Sequence, residues 1–393
     1  MMEQLTNRAF GLGKKKMETL KRTLALIFIL CGFTSCIEFY HPDLENTEPK
    51  YVVDGEITDQ EGYQTVTLSM TSDIDVAKFV TLPHCTVKIT DNLGNIFNLA
   101  EVLPGIYKVW MGKEYLVPGR SYQVNIKTPS GIEIVSDFDQ MNECPSIDSV
   151  YYQRNDLSSS SSGGTKVQSI QFYLNFKQNE KSNNYYRWRV VETWEHHSVY
   201  PITWYSGGKL SYTPANYSKF TCWTTSELKD IFTFSSKSNS QLNVNRLPIQ
   251  LVDNQNQKLT YGYSALVNQC SLSESAYNYW NQLRINSDEL DGVFSSQPIH
   301  VKGNLRSTSN PELDILGFFS ASSIKTKRIF VQNVKDFNTY QPNCINPRLP
   351  TPLDKDFNGY MMEIEGRKYI IEDACVECDY MDGTTVKPSF WPW

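Results

Sequence analysis

The groups in this 393-residue chain that could do chemistry are a cysteine pair, five histidines and a surplus of carboxylates. Cys375-Val-Glu-Cys378 has the spacing of a redox centre or of half a zinc site. A zinc site needs a second such pair or two histidines at helical spacing, and neither accompanies it. A redox pair normally opens a helix in a βαβ unit, whereas the flanks Ile371-Glu372-Asp373-Ala374 and Asp382-Gly383 read as strand and turn. Structural disulfides are the better reading. The histidines are His41, His84, His196, His197 and His300. His196 and His197 are adjacent on a predicted strand, so they point to opposite faces and are expected as a surface pair. Gly262-Tyr263-Ser264-Ala265-Leu266 begins like a nucleophile elbow but lacks the second glycine that closes the turn. Asp73 and Asp75 lack the rest of a calcium loop. A glycosidase needs only two carboxylates at the right separation, which sequence spacing does not reveal. A hydrolase therefore stands as the third functional reading, with no catalytic residue, metal ligand or cofactor predicted.

The strongest chemical signal is at the N-terminus. Lys14, Lys15, Lys16, Lys21 and Arg22 form a basic stretch, an apolar run follows from Leu24 to Leu30, and the chain then reads Cys31-Gly32-Phe33-Thr34-Ser35-Cys36. This is the three-part layout of a secretory signal. The apolar run is short of the roughly 20 residues needed to span a bilayer. Thr34-Ser35-Cys36 resembles a lipobox, with Phe33 where an aliphatic residue is usual. Residues 1–35 are read as a lipoprotein signal peptide, Cys36 as the lipidated residue and 36–50 as a tether. Acidic residues Glu38, Asp43 and Glu45 after that cysteine resemble a surface-export signal, or form a solvated linker. The expected location is an outer membrane, lipid-anchored and facing outside the cell.

The leader carries six basic and two acidic residues, so the 37 basic and 43 acidic residues of the whole chain become 31 and 41, a net charge of −10. That argues against nucleic acid or anionic lipid as a partner surface. Seven cysteines remain after Cys36. In an oxidising compartment most should pair, and an odd count leaves at least one out. The candidates are Cys222, Cys270, Cys344, Cys375 and Cys378, beside Cys85 and Cys144, with connectivity open.

The elements that would position these groups are mainly strands. Val66, Leu68 and Met70 alternate with Thr65, Thr67 and Ser69; Val87 and Ile89, then Tyr122, Val124 and Ile126, repeat the pattern between turn signals. Period-two runs at this spacing predict an all-β protein, with an immunoglobulin- or transthyretin-like sandwich at 51–145. Residues 146–393 predict a larger, aromatic-rich β domain in which Asp148–Gln153 and Lys166–Phe176 pair across Ser158–Gly164. One short helix is expected near 272–284, with Ser271 and Glu274 as a capping box and Leu272, Ala276, Tyr279, Trp280 and Leu283 on one face.

Aromatic crowding is the remaining unusual feature. Most Tyr and Trp side chains in strands fill a core. The stretch 194–223, rich in Pro, Gly, Ser and Thr, instead reads as loops, where exposed aromatics would serve a ligand or partner. Trp194, Trp204, Tyr205, Tyr212 and Trp223 are the candidates.

Several blocks together resemble a known family. They are Tyr51-Val52-Val53-Asp54-Gly55-Glu56-Ile57, Pro118-Gly119-Arg120-Ser121-Tyr122, Ile147-Asp148-Ser149-Val150-Tyr151-Tyr152, Leu272–Leu283, Gly303-Asn304-Leu305 and Leu316-Gly317-Phe318-Phe319-Ser320-Ala321-Ser322. The tail adds Cys375-x-x-Cys378 and Gly383-Thr384-Thr385-Val386-Lys387-Pro388-x-Phe390-Trp391-Pro392. The chain resembles the "domain of unknown function 4249" group of outer-membrane lipoproteins from Bacteroidota. That resemblance implies an outer-membrane location and association with TonB-dependent transporters, and transfers no catalytic residue. Asp148-Ser149-Val150 also resembles a short O-glycosylation pattern, although a strand start there suggests a structural role. The leading reading is an accessory lipoprotein of a TonB-dependent transporter in nutrient capture; the alternative is a stand-alone surface lipoprotein binding a glycan or peptide.

Overall fold

The computed structural model describes residues 49–72, 78–156, 167–178, 184–205, 210–237, 242–290, 300–340, 344, 347–351, 354 and 357–393. The leader, Cys36, His41 and most of the tether, Asp73, Asp75 and Ser158–Gly164 lie outside them. Pro49–Trp393 forms one unit, and the protein is all-β: 23 strands and one α-helix among the described residues. No helix among them is long and apolar enough to cross a membrane.

Alternation decides which faces are buried. Val66 and Leu68, Val87 and Ile89, and Tyr122, Val124 and Ile126 all enter one core with Val53, Ile57 and Tyr107. Around it runs an eleven-stranded sheet. Glu133–Ser136, Ser121–Lys127, Thr86–Asp91, Ile96–Leu103, Ile106–Met111, Gly62–Met70 and Tyr51–Thr58 follow one another, each antiparallel to the next. The segment 51–145 does not make this sheet alone. Leu305–Ser307 adds to the Glu133–Ser136 side, and Ile315–Ser322 runs parallel to Tyr51–Thr58 at the other. Asn304 joins these two additions, donating Nδ2 to the Phe319 carbonyl at 2.8 Å and accepting the Phe319 N–H at 3.0 Å.

A second core lies between two further sheets. Ile147–Arg154, Ser169–Lys177 and Asn243–Asp253 form one, with the first two paired across the expected connection. The other is built on Tyr185–His197, flanked by Thr221–Glu227 and Phe232–Ser235 on one side and by Gly262–Ser271 then Ile324–Val331 on the other. Phe172, Phe176, Tyr186, Trp188 and Tyr263 fill the space between them. A four-stranded sheet of Leu210–Asn216, Ile202–Tyr205, Met361–Ile364 and Arg367–Ile370 completes the fold.

The helix spans Glu274–Leu290. Its cap is Ser273, whose Oγ accepts the Ala276 N–H at 3.1 Å, and not Ser271 as the sequence suggested. Ser271 is still strand, and its hydroxyl donates to the Asn142 carbonyl at 2.5 Å. Glu274 does not close a capping box either. Its carboxylate accepts Tyr185 Oη at 2.7 Å and pairs with Lys237 at 2.9 Å.

Candidate functional site

Two strands turn charged faces toward each other. On Tyr51–Thr58, Val53, Gly55 and Ile57 are buried, which leaves Asp54, Glu56 and Thr58 on the opposite face. Gly55 has no side chain because a Cβ there would sit 2.9 Å from the Phe319 ring. On Tyr185–His197, Tyr186, Trp188 and Val190 fill the second core and leave Arg187 and Arg189 facing out. The helix supplies Trp280. Together with Tyr63 and Glu227 these side chains line a cavity of about 410 Å³.

Its electrostatics are uneven. Arg189 Nη1 pairs with Glu56 Oε2 at 2.9 Å. Arg187 instead lies flat on Trp280, with Cζ 3.4 Å from the ring centroid, and makes no hydrogen bond or ion pair with any described residue. Arg187 Nε and Trp280 Nε1 are both buried donors without a partner. Burial in this position works against the Arg187 charge and lowers its pKa. The Asp54 and Glu227 carboxylates likewise make no hydrogen bond or ion pair with any described residue. Asp54 keeps an exposed edge at the cavity mouth, yet desolvation and then the neighbouring Glu56 raise its carboxyl pKa. A buried donor left unpaired costs about 1–3 kcal/mol.

The five aromatics singled out from sequence do not form one site, and none lines this cavity. Stretch 194–223 is largely strand, because tertiary pairing overrides its turn-prone composition. Trp194 packs on the second core, with Lys258 Nζ 5.2 Å from its ring. Trp204 and Tyr205 belong to the four-stranded sheet, the first under Lys368 Nζ at 3.3 Å and the second 5.0 Å from the Tyr360 ring. Tyr212, on the next strand, is 37% exposed. Trp223 pairs its backbone with Thr384, and its Nε1 is buried without a partner.

A family model for a domain of unknown function, DUF4249, matches residues 37–328. That is well over half of the sequence. The chain belongs to the DUF4249 family. No curated protein matches it. Every cavity residue named above falls inside the DUF4249 span, whereas the tail motif from Cys375 onward lies beyond it.

Outside the DUF4249 span the tail is stapled twice, by Cys222–Cys378 and Cys344–Cys375. Cys375 and Cys378 thus bond different partners and are not a redox pair. They sit in successive short 3₁₀ turns, Asp373–Cys375 and Cys378–Met381. Cys270 is not bonded. It stands near the end of its strand, opposite Arg187 and Ile324 on the two neighbouring strands, where burial and then Glu56 push its thiol up to about 12. Cys85 and Cys144 are free as well.

The histidine pair is enclosed rather than at the surface. His196 is buried with Nε2 2.9 Å from Thr224 Oγ1, and burial lowers its pKa. His197 contacts Glu195 at 2.8 Å and stacks on Tyr261 with 3.7 Å between centroids. Ser264 lies within the Gly262–Ser271 strand and accepts Arg328 Nη1 at 2.8 Å, so no nucleophile elbow forms. Gly262 makes room for the end of the chain: a Cβ there would lie 2.7 Å from Trp393 and 3.0 Å from Trp391. Ser149 Oγ accepts Asn175 Nδ2 at 3.0 Å on a paired strand, a structural setting. Among the described residues no three His, Cys, Asp or Glu side chains converge as a metal centre requires.

Asp54, Glu56, Arg187, Arg189 and Trp280 were missed from sequence as a site. Their signal is the alternation itself. In Val53-Asp54-Gly55-Glu56-Ile57 and Tyr186-Arg187-Trp188-Arg189-Val190, charges at i and i+2 read as an ordinary solvent face. Only the fold shows that the two faces oppose each other.

Proposed function

We propose that this DUF4249 member is a lipid-anchored outer-membrane lipoprotein that serves a TonB-dependent transporter as an accessory subunit, holding a nutrient in the Arg187–Trp280 cavity before handing it on. The observation that carries the binding role is Arg187, a guanidinium with no hydrogen-bond or ion-pair partner among the described residues, stacked on an aromatic floor beside unpaired carboxylates. Such unmet polar groups converging in a concave site are what a ligand completes. The membrane and transporter roles rest on the leader, on Cys36 and on the family resemblance.

The test is affinity capture of the tagged full-length protein from gently solubilised outer membranes, followed by mass spectrometry. A transporter recovered at near-equal stoichiometry is expected. Emergence of the protein alone, across several detergents and growth conditions, overturns the partner role and leaves a stand-alone binding lipoprotein. Fatty-acid labelling checks the anchor: wild type should label, and continued labelling of Cys36→Ala would refute it.

A further inference from the structure

The charges in the cavity select among ligand classes. With Glu56 and Arg189 paired, one guanidinium and two carboxylates remain unmet: Arg187, Asp54 and Glu227. An anion such as phosphate or an acidic sugar would meet Arg187 favourably but face three carboxylates in a confined space. A polyamine would meet the carboxylates but face Arg187. A neutral saccharide would leave the Arg187 charge uncompensated where burial already opposes it. A zwitterion satisfies both signs. A planar guanidinium fork is suited to a carboxylate, which it holds through two parallel hydrogen bonds.

Size narrows the class. About 410 Å³ lies within the roughly 300–1,000 Å³ of small-molecule sites and is more than a free amino acid fills. At the rim Tyr63 is 66% exposed and meets the 57% exposed Trp110 edge-on at 5.3 Å. This pair offers apolar faces to side chains that extend from the cavity.

We infer that the cavity binds a short peptide with both termini free, its carboxylate on the Arg187 guanidinium and its ammonium directed to Asp54 and Glu227. This deepens the binding role proposed above and rests on it.

Calorimetry on the full-length protein in detergent tests the inference with four probes: trialanine, N-acetyl-trialanine, trialanine amide and maltotriose. Trialanine should bind, and blocking either terminus should weaken it about tenfold or more. Arg187→Gln should weaken trialanine roughly ten- to a hundredfold yet leave the already weakened amide unchanged, because the amide no longer uses the guanidinium. Asp54→Asn should show the matching selectivity, losing trialanine but not its N-acetyl form. Thermal melts accompany each variant. Where Arg187→Gln fails to fold, Arg187→Lys keeps the charge without the fork and should give an intermediate loss.

Equal binding of free and blocked peptides overturns the inference. So does binding of maltotriose without trialanine, or silence from all four probes at millimolar concentration. Transporter capture is scored separately. A recovered transporter with no peptide binding sinks the ligand class alone, and peptide binding without a transporter sinks only the partner role.

Discussion

The hydroxyl of Ser273 donates to the Asp139 carboxylate at 2.5 Å while its oxygen caps the helix through the Ala276 N–H. The other Asp139 oxygen accepts the Ala321 N–H at 2.8 Å, so one buried carboxyl ties the helix start to the Ile315–Ser322 strand. The same helix carries Trp280 into the cavity, and the same strand pairs with the one bearing Asp54 and Glu56. Asp139 is a joint beneath the candidate site.

Burial raises the Asp139 pKa to about 6, partly offset by its hydrogen bonds from Ser273 and Ala321. A folded-state pKa above the unfolded value means that the native state holds the proton more tightly. The contribution of this group therefore favours folding at low pH and is lost as pH rises between about 4 and about 6, by up to about 3 kcal/mol. Asp139→Asn should lack that loss. Urea unfolding of wild type and variant at pH 4, 5, 6 and 7 measures it, since other carboxylates cancel in the difference. A wild type minus variant difference that stays flat across this range would show that Asp139 titrates normally.

Much of the fold was legible because strand alternation is local. Val66 with Leu68, and Tyr122 with Val124 and Ile126, needed only their immediate neighbours to be placed inside. The parallel pairing of Val53 with Gly317 was not legible, since nothing near either residue encodes a partner 264 positions away. The helix was found, but its cap was set two residues early because Ser271 and Ser273 both have the right chemistry. Only the strand pairing of Cys270 with Ile324 and of Ser271 with Tyr186 distinguishes them. The cavity failed for the same reason as the parallel pair: Asp54 and Arg187 become neighbours only through tertiary contact. Cys270 was a plausible disulfide candidate by count, and its place mid-sheet is what removes it.

Gly303 and Gly317 allow the closest backbone approach in the molecule's first sheet. A Cβ on Gly317 would overlap the Val53 carbonyl oxygen, and one on Gly303 would overlap the carbonyl oxygen of Gly317. Gly317 also has φ +99°, which side chains rarely adopt. Gly317→Ala should cost more than about 4 kcal/mol or prevent folding. Gly94→Ala is the control. Gly94 has φ +88° in a turn with nothing within 4 Å, so the cost there should be only about 1 kcal/mol. Comparable losses in chemical denaturation would show that backbone strain, and not the close approach, governs both sites.

The two disulfides should contribute unequally. Cys222–Cys378 closes a sequence separation of 156 residues and Cys344–Cys375 one of 31. Chain-entropy reasoning gives about 5 kcal/mol for the first and about 4 kcal/mol for the second as upper values. Cys222→Ser should therefore lower stability at least as much as Cys344→Ser. Non-reducing peptide mapping should recover these two linkages, with Cys144 and Cys270 alkylated only after unfolding. Recovery of a Cys375–Cys378 link would contradict the structure.

Glu192 is 1% exposed, and among the described residues its carboxylate pairs with one cation, Lys258. Its Oε1 accepts Gln250 Nε2 at 2.6 Å and Tyr263 Oη at 2.7 Å, and its Oε2 meets Lys258 Nζ at 2.6 Å. The carboxylate raises the Tyr263 hydroxyl pKa, second to burial. Removing one member of a buried pair strands the other charge and costs roughly 3–5 kcal/mol. Lys258 is about a quarter exposed, so water relieves part of this, and Lys258→Ala should cost about 3 kcal/mol. Neutralising both members removes the stranded charge, while a glutamine at 192 still accepts from Gln250 and Tyr263. Glu192→Gln with Lys258→Ala should therefore recover at least half of the loss. Guanidinium unfolding of the single and double variants measures this. A double variant no more stable than Lys258→Ala would mean that lost packing of the lysine stem over Trp194, and not an unpaired carboxylate, caused the damage.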